Sequence, residues 1–190
     1  MGGDANPVPV PGVLFKARYL TVEDDVRLRL YEWRPEIDQG ADPILFVAGW
    51  ISLVTGWVPL LEKLVRFRPV FYLETREKSS AEIAADLMQP SSFSVTRLAE
   101  DLVEVSKQLD LDHERTVLFG SSMGSNAILE ALKHDRLRAK GAFVVGPNAE
   151  FHFPWWGRPL VHLPSWVYSA AKPFVLWYLR TFRVNAREDP

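Results

Sequence analysis

Two short apolar runs set most of what this chain can become. Ile44-Leu45-Phe46-Val47-Ala48 and Thr116-Val117-Leu118-Phe119 are continuous rather than alternating. That pattern belongs to strands buried on both faces, and so to a parallel sheet covered by helices. Upstream, Ala17 to Val22 and Val26 to Trp33 do alternate and are split by Glu23-Asp24-Asp25, which reads as an antiparallel hairpin. Thr55 to Phe67 carries Trp57, Leu60, Leu61, Leu64 and Val65 at helical spacing, with Thr55 as its cap. Pro69 to Glu74 reads as another strand. Ser91 to Leu111 reads as a long helix with Val95, Leu98, Leu102, Val105 and Leu109 on one face and Glu100, Asp101 and Glu104 solvating the other. Asn126 to Lys133 is a further helix, and Gly141 to Val145 a strand ending at Gly146-Pro147-Asn148. The alternation predicts an α/β chain: a mostly parallel, doubly wound sheet with an antiparallel first hairpin.

Length and composition narrow the function. A chain of 190 residues buries enough surface for one domain, and 47% hydrophobic with 24% charged residues is the balance of a globular protein. A net charge of -2, with no Lys/Arg stripe interleaved with aromatics, argues against a nucleic-acid partner. Absence of cysteine removes disulfides, thiol nucleophiles and thiolate metal sites. Residues 1–13 are Gly/Pro-rich, without the basic and apolar regions of a secretory signal. They read as a flexible arm on a cytoplasmic protein.

The second apolar run leads into Gly120-Ser121-Ser122-Met123-Gly124 and then a helix. A Gly-x-Ser-x-Gly sequence between strand and helix forces the backbone to reverse sharply, and the glycines leave room where side chains would collide with neighbouring elements. Ser122 then stands out of the sheet as a nucleophile. The following helix turns unpaired N–H groups and a positive end toward it, which favours an oxyanion. Ser121 and Ser122 are also ordinary helix caps. The strand before and the helix after favour the nucleophile, and Ser121 lacks glycines at both required offsets.

Ahead of this turn, the first apolar strand ends on Ala48-Gly49-Trp50-Ile51, and Glu74-Thr75-Arg76-Glu77-Lys78-Ser79 follows the next strand. Gly49, that loop, the long helix and Ser122, in this order, resemble the α/β-hydrolase superfamily of serine esterases and lipases, over Ala17 to Asn148. The family commonly has His-Gly-x at the first position and an Asp-x-Arg-Gly-x-Gly-x-Ser-like loop at the second. Here Ala48 replaces the His, and the second loop lacks the glycines. The resemblance implies that the backbone N–H groups of Trp50 and Met123 form an oxyanion hole. The Trp50 side chain is also a candidate core aromatic.

The same resemblance implies an acid and then a His after the nucleophile. His134 falls at a helix end, His113 precedes Ser122, and His152 and His162 flank an aromatic, proline-rich stretch and read as structural. Glu150 is the one acid near a strand end after Ser122, and the reading does not rest on it. With five or six of the family's usual eight strands in view, the expectation is an N-terminal portion of the fold whose triad acid and base lie beyond Pro190.

Residues 151–190 hold Trp155, Trp156, Trp166 and Trp177, where the family inserts a cap or lid. Trp155 and Trp156 are candidates to line a pocket for a small apolar acyl or aromatic substrate, though the aromatics serve equally to bury the cap. Val161 to Leu179 has the length of a bilayer span, but His162, Pro164, Lys172 and Pro173 argue against an integral span.

The sequence thus predicts an incomplete core over 14–150 and a cap over 151–190. The expected activity is hydrolysis of an ester or thioester through an acyl-enzyme at Ser122, with no metal or cofactor. Epoxide hydrolases and dehalogenases fit less well, since their nucleophile is a carboxylate. Homo-oligomerisation is left open. The alternative is a non-catalytic binding or interaction protein on the same fold.

Overall fold

The structure, a computed structural model, describes residues 5–50 and 52–148, with Val167, Ala170, Pro173, Phe174 and Trp177 as isolated positions. The chain divides into two compact units, residues 1–149 and residues 150–190. In the second unit the described positions are helical, and the rings of Phe174 and Trp177 lie 5.7 Å apart.

In the first unit β1 (Val13–Glu23) and β2 (Val26–Pro35) form the expected hairpin, paired from Val13 opposite Pro35 to Glu23 opposite Val26. The remaining strands are β3 (Ile44–Val47), β4 (Val70–Leu73), a short β5 (Glu82–Ile83), β6 (Val117–Ser121) and β7 (Gly141–Val145). They form one sheet in the order β1-β2-β4-β3-β6-β7, with β5 beside β2. β2 meets β4 antiparallel, and β4, β3, β6 and β7 run parallel. The α/β architecture read from the sequence is therefore present.

Alternation within β3 divides the core. Leu45 and Val47 join Leu98, Leu102, Val105, Ala127 and Ile128 of helices α2 (Val95–Gln108) and α3 (Met123–Lys133). Ile44 and Phe46 face the other way, onto Val54, Leu61 and Val65, in and around α1 (Val58–Leu64). All four β3 side chains are buried, as strands covered on both faces require.

Three details differ from the sequence expectation. Residues 5–12 are packed rather than loose: Val8 and Val10 are buried, and the Asn6 side-chain oxygen accepts from the Trp33 indole N–H at 3.0 Å. Thr55 caps no α-helix, because Val54–Trp57 forms a 3₁₀ turn and α1 starts after Trp57 with Pro59 in its first turn. Ser94 caps α2 instead, accepting from the Arg97 N–H at 3.2 Å. No helix of the described residues is long and apolar enough to cross a membrane.

Candidate functional site

Strand order reverses at β3. The chain leaves β3 for β4 on one side and returns to β6 on the other. In a sheet wound this way, the loops leaving the two strands diverge and open a crevice at the strands' carboxyl ends. Ala48-Gly49-Trp50 leaves β3 there and Ser122 leaves β6 there.

Ser122 adopts φ 50° and ψ -116°. That conformation is strained for a residue with a Cβ and persists only where the surroundings over-determine it. Those surroundings are visible. The Ser122 N–H donates to the Val145 carbonyl at 2.8 Å, and its own carbonyl accepts from the Asn126 N–H at 3.1 Å. The Ser125 hydroxyl, buried one turn on, pairs with both the carbonyl and the N–H of Val145 at 3.1 Å. The turn is thus bolted to β7, and the Ser122 side chain is left exposed with no capping bond.

The two glycines have separate reasons. A Cβ on Gly124 would fall 2.1 Å from the Val47 carbonyl oxygen, so glycine lets α3 press against the end of β3. A Cβ on Gly120 would meet the Ser125 backbone at 2.8 Å. Gly49 completes the crevice, for a Cβ there would stand 3.0 Å from the Ser122 Cβ. The β3 loop and the turn after β6 are therefore in contact at the backbone. Met123 opens α3, so its N–H has no intrahelical acceptor. The Trp50 side chain is 58% exposed rather than a core aromatic.

The loop after β4 was named in the sequence, but its role was not legible there. Glu74, Thr75, Arg76 and Lys78 are all buried. Arg76 forms a two-pronged pair with Asp101 of α2, at 2.6 and 2.8 Å, and also reaches Glu23 at 2.8 Å. Asp101, read from sequence as solvating the outer face of its helix, is instead buried against this loop. Burial pushes its carboxyl above the ordinary range against the pull of Arg76. The Arg76 hydrogen bond holds the Glu23 carboxyl below its ordinary value. Lys78 extends its ammonium to the carbonyl of Gly49 at 2.5 Å and to that of Trp50. The signal that could have found these residues is a run of charges directly after a buried parallel strand, at the edge of the sheet where sites form.

The described histidines stand away from Ser122. His113 lies before β6, at the opposite edge of the sheet. His134 caps the far end of the 11-residue α3, about 16 Å along its axis, and pairs with Glu130 at 3.3 Å. Glu150, His152, Trp155, Trp156, His162 and Trp166 lie outside the described residues.

No protein-family model and no curated protein matches the chain. Solved structures do. An α/β hydrolase from Novosphingobium aromaticivorans aligns at 22% identity and TM-score 0.58, over 68% of this chain and 43% of its own. The N-acyl homoserine lactonase AidH aligns at 20% identity and TM-score 0.57, over 70% of this chain and 46% of its own. Potato epoxide hydrolase I aligns at 17% identity and TM-score 0.62, over 90% and 57%. This chain thus spans about half the length of each. With the strand order, the reversal at β3 and the strained turn after β6, these likenesses identify the chain as having the α/β-hydrolase fold.

Proposed function

We propose that the protein is a serine hydrolase that cleaves an ester-like bond, a carboxylic ester or thioester, through an acyl-enzyme at Ser122. The observation that carries this reading is the positive φ of 50° at a serine on a strand-to-helix turn. A capping or surface serine needs no such strain, whereas a nucleophile that must clear the sheet does. In the first step the Ser122 Oγ bonds to the carbonyl carbon and its proton passes to a base. The carbonyl oxygen becomes an anion held by the N–H groups of Met123 and Trp50. Collapse then expels the alcohol or thiol, and water releases the acid by the same route. Neither His113 nor His134 stands at this edge of the sheet, so this reading takes the base from outside the described residues.

The exposed side chains of Trp50 and Leu53 put apolar surface on the loop beside the nucleophile, which supports a small acyl or aromatic substrate. The aromatic stretch with Trp155 and Trp156 fits the same class as a cap. The serine in the turn separates this proposal from epoxide opening by a carboxylate, although epoxide hydrolases share the fold.

Pre-steady-state hydrolysis of a p-nitrophenyl acyl ester tests the proposal. A burst of p-nitrophenol matching the enzyme concentration, kept in Ser121→Ala and abolished in Ser122→Ala, is expected. A burst that survives Ser122→Ala contradicts it. Absence of turnover in both the 190-residue chain and any longer product of its reading frame favours a non-catalytic binding protein.

A further inference from the structure

Lys78 is a buried cation that the reaction above does not use. Its side chain is 5% exposed; its ammonium donates to the Gly49 carbonyl at 2.5 Å and to the Trp50 carbonyl, and forms an ion pair with the Glu77 carboxylate at 3.2 Å. The Thr75 hydroxyl donates to the same Glu77 oxygen at 2.6 Å and so steadies the lysine's counter-charge. An ammonium taken out of water is costly unless it is paired and hydrogen-bonded, and here it has one carboxylate and two carbonyls.

We propose that Lys78 is a positioning residue for the oxyanion loop, aiming the Trp50 N–H at the crevice by holding the carbonyls of Gly49 and Trp50. The inference rests on the reading of Ser122 as nucleophile and of Trp50 N–H as oxyanion donor. The geometric argument starts from the peptide plane. The Gly49 carbonyl and the Trp50 N–H belong to one peptide unit, and no peptide bond among the described residues is cis. In a planar trans unit the C=O and N–H point in opposite directions. An ammonium that fixes the oxygen on the β4 side therefore fixes the N–H on the side away from β4. Holding the Trp50 carbonyl fixes the next plane as well, and the Ser52 N–H, donating to Gly49 at 3.1 Å, closes the loop into a turn.

The loop needs such an anchor. A side chain at Gly49 would crowd Ser122, and glycine is the residue least able to hold its own backbone direction. Ala48 offers no polar group to hold the loop. Lys78 supplies from the neighbouring strand end what Ala48 does not. A carbonyl bound to a cation also polarises its peptide and makes the N–H of the same unit a stronger donor.

The test compares wild type with Lys78→Met, which keeps the stem and removes the charge, and with Lys78→Gln, which retains one donor. An aryl phosphonate ester labels the nucleophile through an anionic phosphoryl oxygen. The expected result is a limiting labelling rate about 10- to 100-fold lower in Lys78→Met, with the half-saturating probe concentration unchanged and Lys78→Gln in between. A merely structural role would lower the fraction of protein labelled instead. Equal rates in wild type and Lys78→Met overturn the proposal. If Lys78→Met does not melt cooperatively, the rate of Lys78→Gln alone decides it by the same criterion. If neither the wild-type chain nor a longer product of its reading frame labels, the nucleophile reading falls, and amide exchange decides the anchoring separately. Faster exchange across residues 49–52 in the variants supports it, and unchanged exchange overturns it.

Discussion

The turn after β6 and the loop after β4 sit at the same edge of the sheet, yet they are held by opposite means. The turn is held by close backbone approach: Gly124 against Val47, Gly120 against Ser125, and the Ser125 hydroxyl on Val145. Its constraints lie within a few residues of one another or on adjacent strands. The loop is held by charges whose partners are far away in sequence, with Arg76 on Asp101 and Glu23, and Lys78 on the carbonyls of Gly49 and Trp50. A site can therefore be built with one wall that reads as a motif and another that reads as an ordinary polar loop.

If the loop is held by its ion pairs, Asp101→Ala should be the most damaging single change. It takes two of the three hydrogen bonds from a guanidinium that is 1% exposed, leaving Glu23 as its carboxylate partner, and the expected loss is about 3–4 kcal/mol by urea melt. Replacing both partners, Arg76→Met with Asp101→Leu, should recover much of it, because the buried charge with unmatched donors is gone. Next comes Gly124→Ala, which tests the opposite mode of holding. Its Cβ would overlap the Val47 carbonyl oxygen, which is backbone and cannot swing aside. A loss of about 3 kcal/mol is expected, and a loss below about 1 kcal/mol would mean the turn is not held by contact.

Ser122→Gly should move stability the other way. Glycine relieves the strain at φ 50°, for a net gain of about 1 kcal/mol after its greater chain entropy. Ser122→Ala keeps the Cβ and should change stability little. A higher melting temperature for the glycine variant, with activity lost in both, would separate strain from chemistry.

The smallest effect concerns pH. The Glu23 carboxyl is held low by its Arg76 hydrogen bond, with the charge of Arg97 helping and burial opposing. A carboxyl whose folded pKa is depressed contributes stability above its unfolded value and loses it as pH falls through the folded one. Stability should therefore drop on acidification below the ordinary value of 4.5. Glu23→Gln should shrink that drop by less than about 1 kcal/mol. Urea melts across the acidic range check this, and part of the drop should remain because Asp42 and Asp135 are also held low.

Much of the fold was legible because it depends on local pattern. The continuous run at Ile44–Val47, the alternation in the first hairpin and the spacing of Leu98, Leu102 and Val105 each state which face is buried. The strand-to-helix turn at Ser122 was legible for the same reason, since its glycines answer clashes created nearby. Asp101 was not. An acid in a helix reads as solvent-facing until its partner is known, and Arg76 lies 25 residues away on another element. Val8 and Val10 were equally hidden, because a Gly/Pro-rich stretch shows no period from which to read burial. Lys78 was hidden in the most instructive way. Its partners are backbone carbonyls, which every residue has and no sequence pattern marks.

The central claim is that the strained turn presents Ser122 as a nucleophile, and the most direct measurement is the position of a covalent adduct. The protein is treated with an aryl phosphonate ester, digested, and mapped by mass spectrometry. One phosphonyl group on Ser122, absent from Ser122→Ala and unaffected by Ser121→Ala, is the predicted result. An adduct on another residue, or none on Ser122 in a chain that hydrolyses esters, would contradict it.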